Sequence, residues 1–279
     1  MERSEHAAIK IEATAPKSIC AGAASPVGNA WWLFCALVLA IKLLLLWLDP
    51  TPKLFMGDSW SYIHTALIGS IPRDRSYFYG YLVRWLALWP HSLTSLLVVQ
   101  ALASSATAIV FALICSRFFG LSNRISFLFG LICALDPCQL VWERYVMTET
   151  FSLFLYVLVL YWSLLYLRDR RIWQLAVVQA FSVVLIGFRM SYLLVVLACT
   201  ILLPLIAFAL APMRAVRNQS DPRRLSPLTT GFAHVVASLA IMLLMHRCGL
   251  LHLSHLMRRI HVSAISLPTA TSSKSTIRH

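Results

Sequence analysis

Charged residues, and above all acids, are scarce in this chain. Only 13% of its 279 residues are charged, and 11 are Asp or Glu. Soluble globular proteins average about a quarter charged residues. With 59% hydrophobic residues and a mean hydropathy of +0.74, a soluble fold of this length has too little interior to bury its apolar surface. The composition therefore predicts an integral membrane protein.

Several motifs are also missing. The sequence has no CxxC pair, GxGxxG, P-loop, GxSxG, HExxH or DxD. These absences argue against zinc sites, nucleotide binding and the soluble hydrolase and metalloprotease classes. We expect no metal and no cofactor. The chain has a net charge of +13. In a membrane protein such a charge is explained by cytoplasmic loops that retain Lys and Arg, so no nucleic-acid partner is expected.

Apolar runs divide the chain, and a membrane span needs about 20 such residues. The runs predict an all-α polytopic bundle of about seven spans, near 31–48, 92–115, 122–136, 150–167, 173–188, 191–211 and 231–250. The expected organisation is a disordered cytoplasmic tail 1–30, a core 31–211 with an outer loop 49–91, a basic loop and last span 212–250, and a flexible tail 251–279. No removable signal peptide is expected in the polar first tail.

The distribution of charge predicts the orientation. With the N-terminus in the cytoplasm, the inner segments 1–30, 116–124, 168–172 and 212–230 carry twelve Lys or Arg and five acids. The outer segments up to Arg189 carry six of each. This asymmetry fits the positive-inside rule, and it places more than half of the acids on the outer face. The basic tail after residue 250 departs from the rule.

The outer loop 49–91 is rich in aromatic residues and suggests short interfacial helices near 59–69 and 81–89. Asp58 follows Gly57 and either caps the helix that begins there or acts as a general base at the lipid–water boundary. Lys53, Arg73 and Arg75 in the same loop are cations suited to a phosphate. Base and phosphate binders side by side favour transfer from a phosphate-bearing lipid.

Three stretches in order resemble the GT-C glycosyltransferases, and more narrowly the bacterial dolichyl-phosphate-mannose protein mannosyltransferase-like and aminoarabinose-transferase-like group. They are GDSWSYIHTA, LDPCQLVWERYVMTETFSLFLYVLVLYW and FSVVLIGFRMSYLLVVLA. The resemblance covers about residues 31–210. It implies a multi-pass protein of the bacterial inner membrane that transfers a sugar from a polyprenyl-phosphate donor, with inversion, to an acceptor at the outer face.

The resemblance implies a role for individual residues. Asp58 matches the general base of the first outer loop. Arg189 matches the cation of a later outer turn, where the family commonly has Pro at the position of Met190, and Glu149 matches a Thr-Glu that opens a long helix. From charge and side of the membrane alone, Arg73, Arg75 and Arg144 are further phosphate binders.

Other residues have plainer interpretations. Glu149 also suits the first turn of a helix, where the helix dipole favours an acid. Lys42, inside the first span, is expected to snorkel towards the membrane surface. The small residues of 103–108 are expected to form a close-packing helix face.

Two alternatives stay open. Family members run to about twice this length, so the chain is expected to be a short or truncated member, and a non-catalytic relative with the same fold is one alternative. A transporter subunit is the other, although paired helix breaks in repeated halves, which mark many transporters, are missing from the sequence. Sugar and acceptor are not specified by any motif.

The predicted orientation can be checked by labelling. In a variant whose native cysteines are replaced by serine, Ser70→Cys should react with an impermeant thiol reagent added outside intact cells. Arg170→Cys should react only after the membrane is permeabilised. The reverse pattern contradicts the orientation.

Overall fold

The computed structural model describes residues 28–69, 76–88, 92–209, 232–244 and 247. These residues are mostly helical, and the ten helices found among them are α1 Asn29–Leu48, α2 Met56–Ile68, α3 Tyr77–Val83, α4 Leu93–Arg117, α5 Asn123–Ala134, α6 Pro137–Trp142, α7 Glu149–Asp169, α8 Ile172–Phe188, α9 Leu193–Ala209 and α10 Phe232–Leu244. A π-helical turn, Arg84–Leu88, follows α3, and a 3₁₀ turn, Met190–Tyr192, precedes α9. The described part contains no strand, and its one isolated bridge joins Lys53 to Tyr145.

Within the described part of the chain, four helical segments are long and apolar enough to cross a membrane. They are α1, α4, α7 and Met190–Ala209, each of at least 20 residues, or about 30 Å at 1.5 Å per residue. Three other predicted spans form shorter apolar helices, α5, α8 and α10. The prediction of an all-α fold is therefore confirmed for the described residues, and four of the seven predicted spans are candidate membrane spans by length and composition.

Helices α4 and α7 lie at the centre of the bundle. Half of the apolar window of each is buried, against about a quarter for α1 and the α9 segment. Helix α7 packs against α8, α4 and α9, and α4 packs against α5 and α1. The prediction of a close-packing face at 103–108 is confirmed, because Ala103, Ser104, Ser105, Thr107 and Ala108 are all buried.

The segment predicted to be the outer loop contains two short helices, as expected. However, α2 and α3 begin three and four residues before the predicted stretches 59–69 and 81–89, and a π-helical turn occupies Arg84–Leu88. Helix α2 ends at Gly69, whose φ of 79° is the left-handed conformation of a helix C-terminus. Trp60 and Trp85 are exposed, as expected for an interfacial segment. Helix α2 therefore presents both a buried face and a surface tryptophan.

Three polar side chains within the apolar bundle find partners on neighbouring helices. Gln179 of α8 donates to Ser238 Oγ of α10 at 2.7 Å and accepts from Thr200 Oγ1 of α9 at 3.1 Å. All three residues are buried. A polar group in an apolar medium needs such a partner, so this triad connects three helices.

Helix α3 rests on the end of α8 through a close approach to Gly187. The Phe78 ring lies over this glycine, and a Cβ added there would be 1.9 Å from Phe78 Cδ2. Ser76 Oγ, which caps α3, donates to Gly187 O at 2.7 Å. Helix α3 is thus seated on α8 at a position that only glycine fits.

Gly187→Ala should therefore destabilise the protein by about 1–3 kcal/mol through overpacking. Thermal unfolding in detergent measures the effect. Gly57→Ala is the matched control, because a Cβ at Gly57 meets no atom within 4 Å. Equal stability of the two variants would contradict the close approach of Phe78.

Candidate functional site

A buried ion pair lies between α1 and the end of α6. Lys42 Nζ donates to Glu143 Oε1, and the two residues are 0% and 2% exposed. Ser104 of α4 also donates to Glu143 Oε1, at 2.5 Å, and Gln139 Nε2 donates to Ser104 Oγ at 2.5 Å. Four polar side chains from α1, α4 and the α6 region thus form one network in the apolar interior.

The prediction that Lys42 snorkels to the membrane surface is wrong. Its ammonium group has a buried carboxylate within reach, and pairing there replaces contact with headgroups. Isolated charges are costly to bury, so each partner depends on the other. The pair therefore fixes α1 against the segment that follows α6.

Residues 143–147 form a non-helical segment between α6 and α7 that is pinned from several sides. Lys53 N donates to Arg144 O at 2.8 Å, and Val146 N donates to Lys53 O at 3.1 Å. Gln100 Nε2, from buried α4, donates to Tyr145 O at 3.0 Å. Several backbone groups of this segment, which we call the anchored segment, are therefore hydrogen-bonded to surrounding elements.

Helix α2 contributes a further anchor. Ser59 is fully buried, accepts from Phe55 N at 2.8 Å and donates to Val146 O at 3.0 Å. The Phe55 ring also contacts the Tyr145 ring edge-to-face, with centroids 6.0 Å apart. The start of α2, which carries Asp58, is therefore attached to the anchored segment.

The Arg144 guanidinium contrasts with this satisfied backbone. The residue is only 9% exposed, yet its side chain makes no hydrogen bond or ion pair with any described residue. It lines a cavity of about 360 Å³. The other lining residues are Leu45, Leu48 and Asp49 of the α1 end, Lys53, and Leu140, Val141 and Tyr145 of the α6 region.

Lys53 and Asp49 carry the other charges of this cavity. Lys53 Nζ lies 2.9 Å from Asp49 Oδ2, and Thr51 Oγ1 donates to Asp49 Oδ1 at 2.5 Å. The Thr51 hydroxyl and then Lys53 lower the pKa of the Asp49 carboxyl to about 2. Asp49 is therefore ionised at neutral pH, and its negative charge offsets the positive charge of Lys53. With the charge of Arg144 added, the net charge of the cavity lining is near +1.

Glu149 and Arg189 form a second charged group. Arg189 Nη1 donates to Glu149 Oε1 at 2.7 Å, and their side chains are 43% and 16% exposed. Glu149 opens α7, as the sequence indicates, and Arg189 lies between α8 and the turn before α9. The two residues singled out by the resemblance therefore lie together, but the charge of Arg189 is already offset.

Asp58 is half-buried in the first turn of α2. The prediction that it caps the helix is wrong, because the helix begins at Met56 and Phe55 holds the cap position. Asp58 interacts with other groups of the chain, and it is not among the described residues that line the cavity. Its position in the first turn suits a carboxylate through the helix dipole.

Of the predicted phosphate binders, Lys53 and Arg144 share the cavity and Arg189 pairs with Glu149, whereas Arg73 and Arg75 lie outside the described residues. Sequence reasoning missed Gln100 and the joint role of Lys42 and Glu143. The available signal was a polar side chain inside an otherwise apolar span, which marks a functional site by default. Among the described residues, no group of three or more His, Cys, Asp or Glu is placed to hold a metal ion.

Comparisons with known proteins return no matching family, no matching curated protein and no matching solved structure.

Proposed function

We propose that this protein is a membrane glycosyltransferase that takes a sugar from a polyprenyl-phosphate donor and transfers it to an acceptor at the outer face of the membrane. The observation that carries the proposal is the nearly buried Arg144, which has no side-chain partner among the described residues and lies in an apolar-walled cavity beside Lys53. A guanidinium in such a place favours an anionic ligand, and its geometry matches the oxygens of a phosphate.

The chemistry of the cavity favours a lipid phosphate. Its walls are mostly leucine, valine and tyrosine, which suit the first carbons of a polyprenyl chain. The net charge near +1 complements a phosphodiester, which carries a single negative charge when it joins a lipid to a sugar. A diphosphate carries more negative charge and is matched less well by one uncompensated arginine.

The transfer itself needs a base and a charge acceptor. In the proposed step an acceptor hydroxyl attacks the anomeric carbon, its proton passes to the Asp58 carboxylate, and the bond between that carbon and the phosphate oxygen breaks. The polyprenyl phosphate leaves with the bonding electrons. Arg144 and Lys53 stabilise the negative charge that grows on it.

The position of Asp58 is compatible with this division of roles. Asp58 is five positions after Lys53 in the chain, so the two Cα atoms are at most about 18 Å apart. Ser59 attaches the start of α2 to the anchored segment that carries Arg144. The helix that carries the proposed base is therefore attached to the segment that carries the proposed phosphate binder, Arg144.

In this proposal Arg144 replaces Arg189 as the principal phosphate binder. Arg189 is half-exposed and already paired with Glu149, whereas Arg144 is nearly buried and unpaired within the described residues. Desolvation strengthens an electrostatic contact, so the buried cation binds an anion more tightly. Arg189 and Glu149 then serve to hold the start of α7 against the end of α8.

The proposed topology keeps all seven apolar helices in the membrane with the N-terminus in the cytoplasm. Helices α5, α8 and α10 are shorter than about 20 residues, so they tilt little or reach only part of the way across. The cavity and Asp58 then lie at the outer face. This arrangement is the one expected of the GT-C group that the sequence resembles.

The binding half of the proposal predicts the behaviour of Arg144→Gln. Losing a charge-assisted hydrogen bond of about 1.5–3 kcal/mol should weaken binding of farnesyl methyl phosphate, a singly charged lipid phosphodiester, by roughly 10- to 100-fold. Equilibrium binding to protein in nanodiscs, corrected for empty nanodiscs, measures this. Arg124→Gln, the same change at the start of α5, should bind as the wild type does.

Farnesol, farnesyl diphosphate and inorganic phosphate complete that experiment. The wild type should bind the phosphodiester more tightly than all three, because the first lacks the anion, the second is overcharged and the third lacks the chain. If Arg144→Gln binds the phosphodiester as tightly as the wild type, the cavity does not bind lipid phosphate and the proposal is wrong.

The catalytic half predicts that Asp58→Asn keeps phosphodiester binding but loses transfer by about 10²–10⁴-fold, the usual contribution of a positioned base. Transfer of labelled sugar from a panel of polyprenyl-phosphate sugars into membrane acceptors provides the assay. Asp169→Asn, an acid change at the end of α7, is the control. A wild type that binds the phosphodiester but transfers none of the panel supports the non-catalytic relative instead.

A further inference from the structure

The availability of Arg144 is itself a feature that needs a cause. An arginine can pair with a carboxylate on the adjacent residue, and this chain shows such a pair at the end of α7. Arg168 Nε lies 2.8 Å from Oδ1 of Asp169, the following residue. Glu143 immediately precedes Arg144, so the same pairing is within reach along the chain.

Glu143, which is adjacent to Arg144 in the chain, and Asp49, which lines the same cavity, are held by other groups. Glu143 Oε1 accepts from Lys42 Nζ and from Ser104 Oγ, so its carboxylate is turned into the bundle. Asp49 is held by Lys53 at 2.9 Å and by Thr51. Each lysine therefore takes up one carboxylate that would otherwise compete for the guanidinium.

The ion pair between Lys42 and Glu143 is stronger than the one between Lys53 and Asp49. Lys42 and Glu143 are almost completely buried, whereas Lys53 and Asp49 are about half exposed. Exposed ion pairs contribute little, because water screens them. A buried pair cannot exchange its partners for water, so Glu143 stays with Lys42 as long as both are charged.

We propose that Lys42 is a positioning residue that keeps the Arg144 guanidinium available for an anionic ligand by sequestering Glu143. The inference rests on the proposed lipid-phosphate cavity and names the residue that maintains it. Without Lys42, the Glu143 carboxylate turns towards Arg144 and neutralises the charge of its guanidinium. A singly charged phosphodiester then has no positive charge in the cavity to pair with.

This role makes a distinctive prediction for paired substitutions. Lys42→Met should weaken binding of farnesyl methyl phosphate by about tenfold or more, because the released Glu143 competes for Arg144. Lys42→Met/Glu143→Gln should bind nearly as the wild type does, because the competitor is gone. Glu143→Gln alone separates this role from a purely structural one. It removes the competitor and should bind as the wild type does, whereas a purely structural ion pair predicts that it binds as weakly as Lys42→Met, because Lys42 is left as an unpaired buried charge.

The controls separate folding from binding. Each variant is compared by gel filtration and thermal unfolding in the same nanodiscs, and Lys42→Arg, which preserves the charge, should bind as the wild type does. If Lys42→Met yields no folded protein, Lys42→Gln keeps a donor for Glu143 without its charge. The comparison of Lys42→Gln with Lys42→Gln/Glu143→Gln then decides in the same way.

The outcomes distinguish this inference from the proposed function. Weak binding by Arg144→Gln with no rescue in the double variant overturns the role of Lys42 and leaves the lipid-phosphate cavity standing. Undiminished binding by Lys42→Met does the same. Undiminished binding by Arg144→Gln removes the cavity itself, and the role of Lys42 with it.

Discussion

The structure depends on the pairing of polar and charged side chains inside an apolar bundle. Lipid offers no water to replace a missing hydrogen bond, so a buried pair between two helices fixes those helices against each other. Lys42 and Glu143 join α1 to the end of α6, and Gln100 joins α4 to the anchored segment. Together these contacts hold a short non-helical stretch in a bundle otherwise made of apolar helices.

Three charged residues are buried in the described part of the chain. Lys42 and Glu143 pair with each other, whereas Arg144 has no partner there. The backbone around it is hydrogen-bonded, and the carboxylates near it are engaged by lysines, yet the guanidinium stays unpaired within the described residues. A stable protein tolerates such an exception where a ligand completes the contact. Five neutral buried atoms of other described side chains also lack a partner, but an unpaired charge is costlier to bury, so Arg144 is the more informative about function.

The helices could be predicted from the sequence, since long apolar runs leave few alternatives, and α1, α4, α7 and Met190–Ala209 lie where those runs predict. The position of Glu149 in the first turn of α7 could also be predicted from the sequence. The pairing of Lys42 with Glu143 was not, because the two residues are 101 positions apart and only tertiary packing brings them together. The start of α2 was misplaced for a similar reason, since Ser59 stabilises it through Val146, a distant residue.

The position of the cavity on the bundle has a last consequence. Leu48 and Val141 line it and are also 64% and 51% exposed on the outer surface of the helices. Because α1 is a peripheral helix, this rim is continuous with the exposed apolar surface of α1. Under the proposed function, this continuity lets a long prenyl chain enter sideways from the bilayer and deliver its headgroup to Arg144 without its tail passing through water.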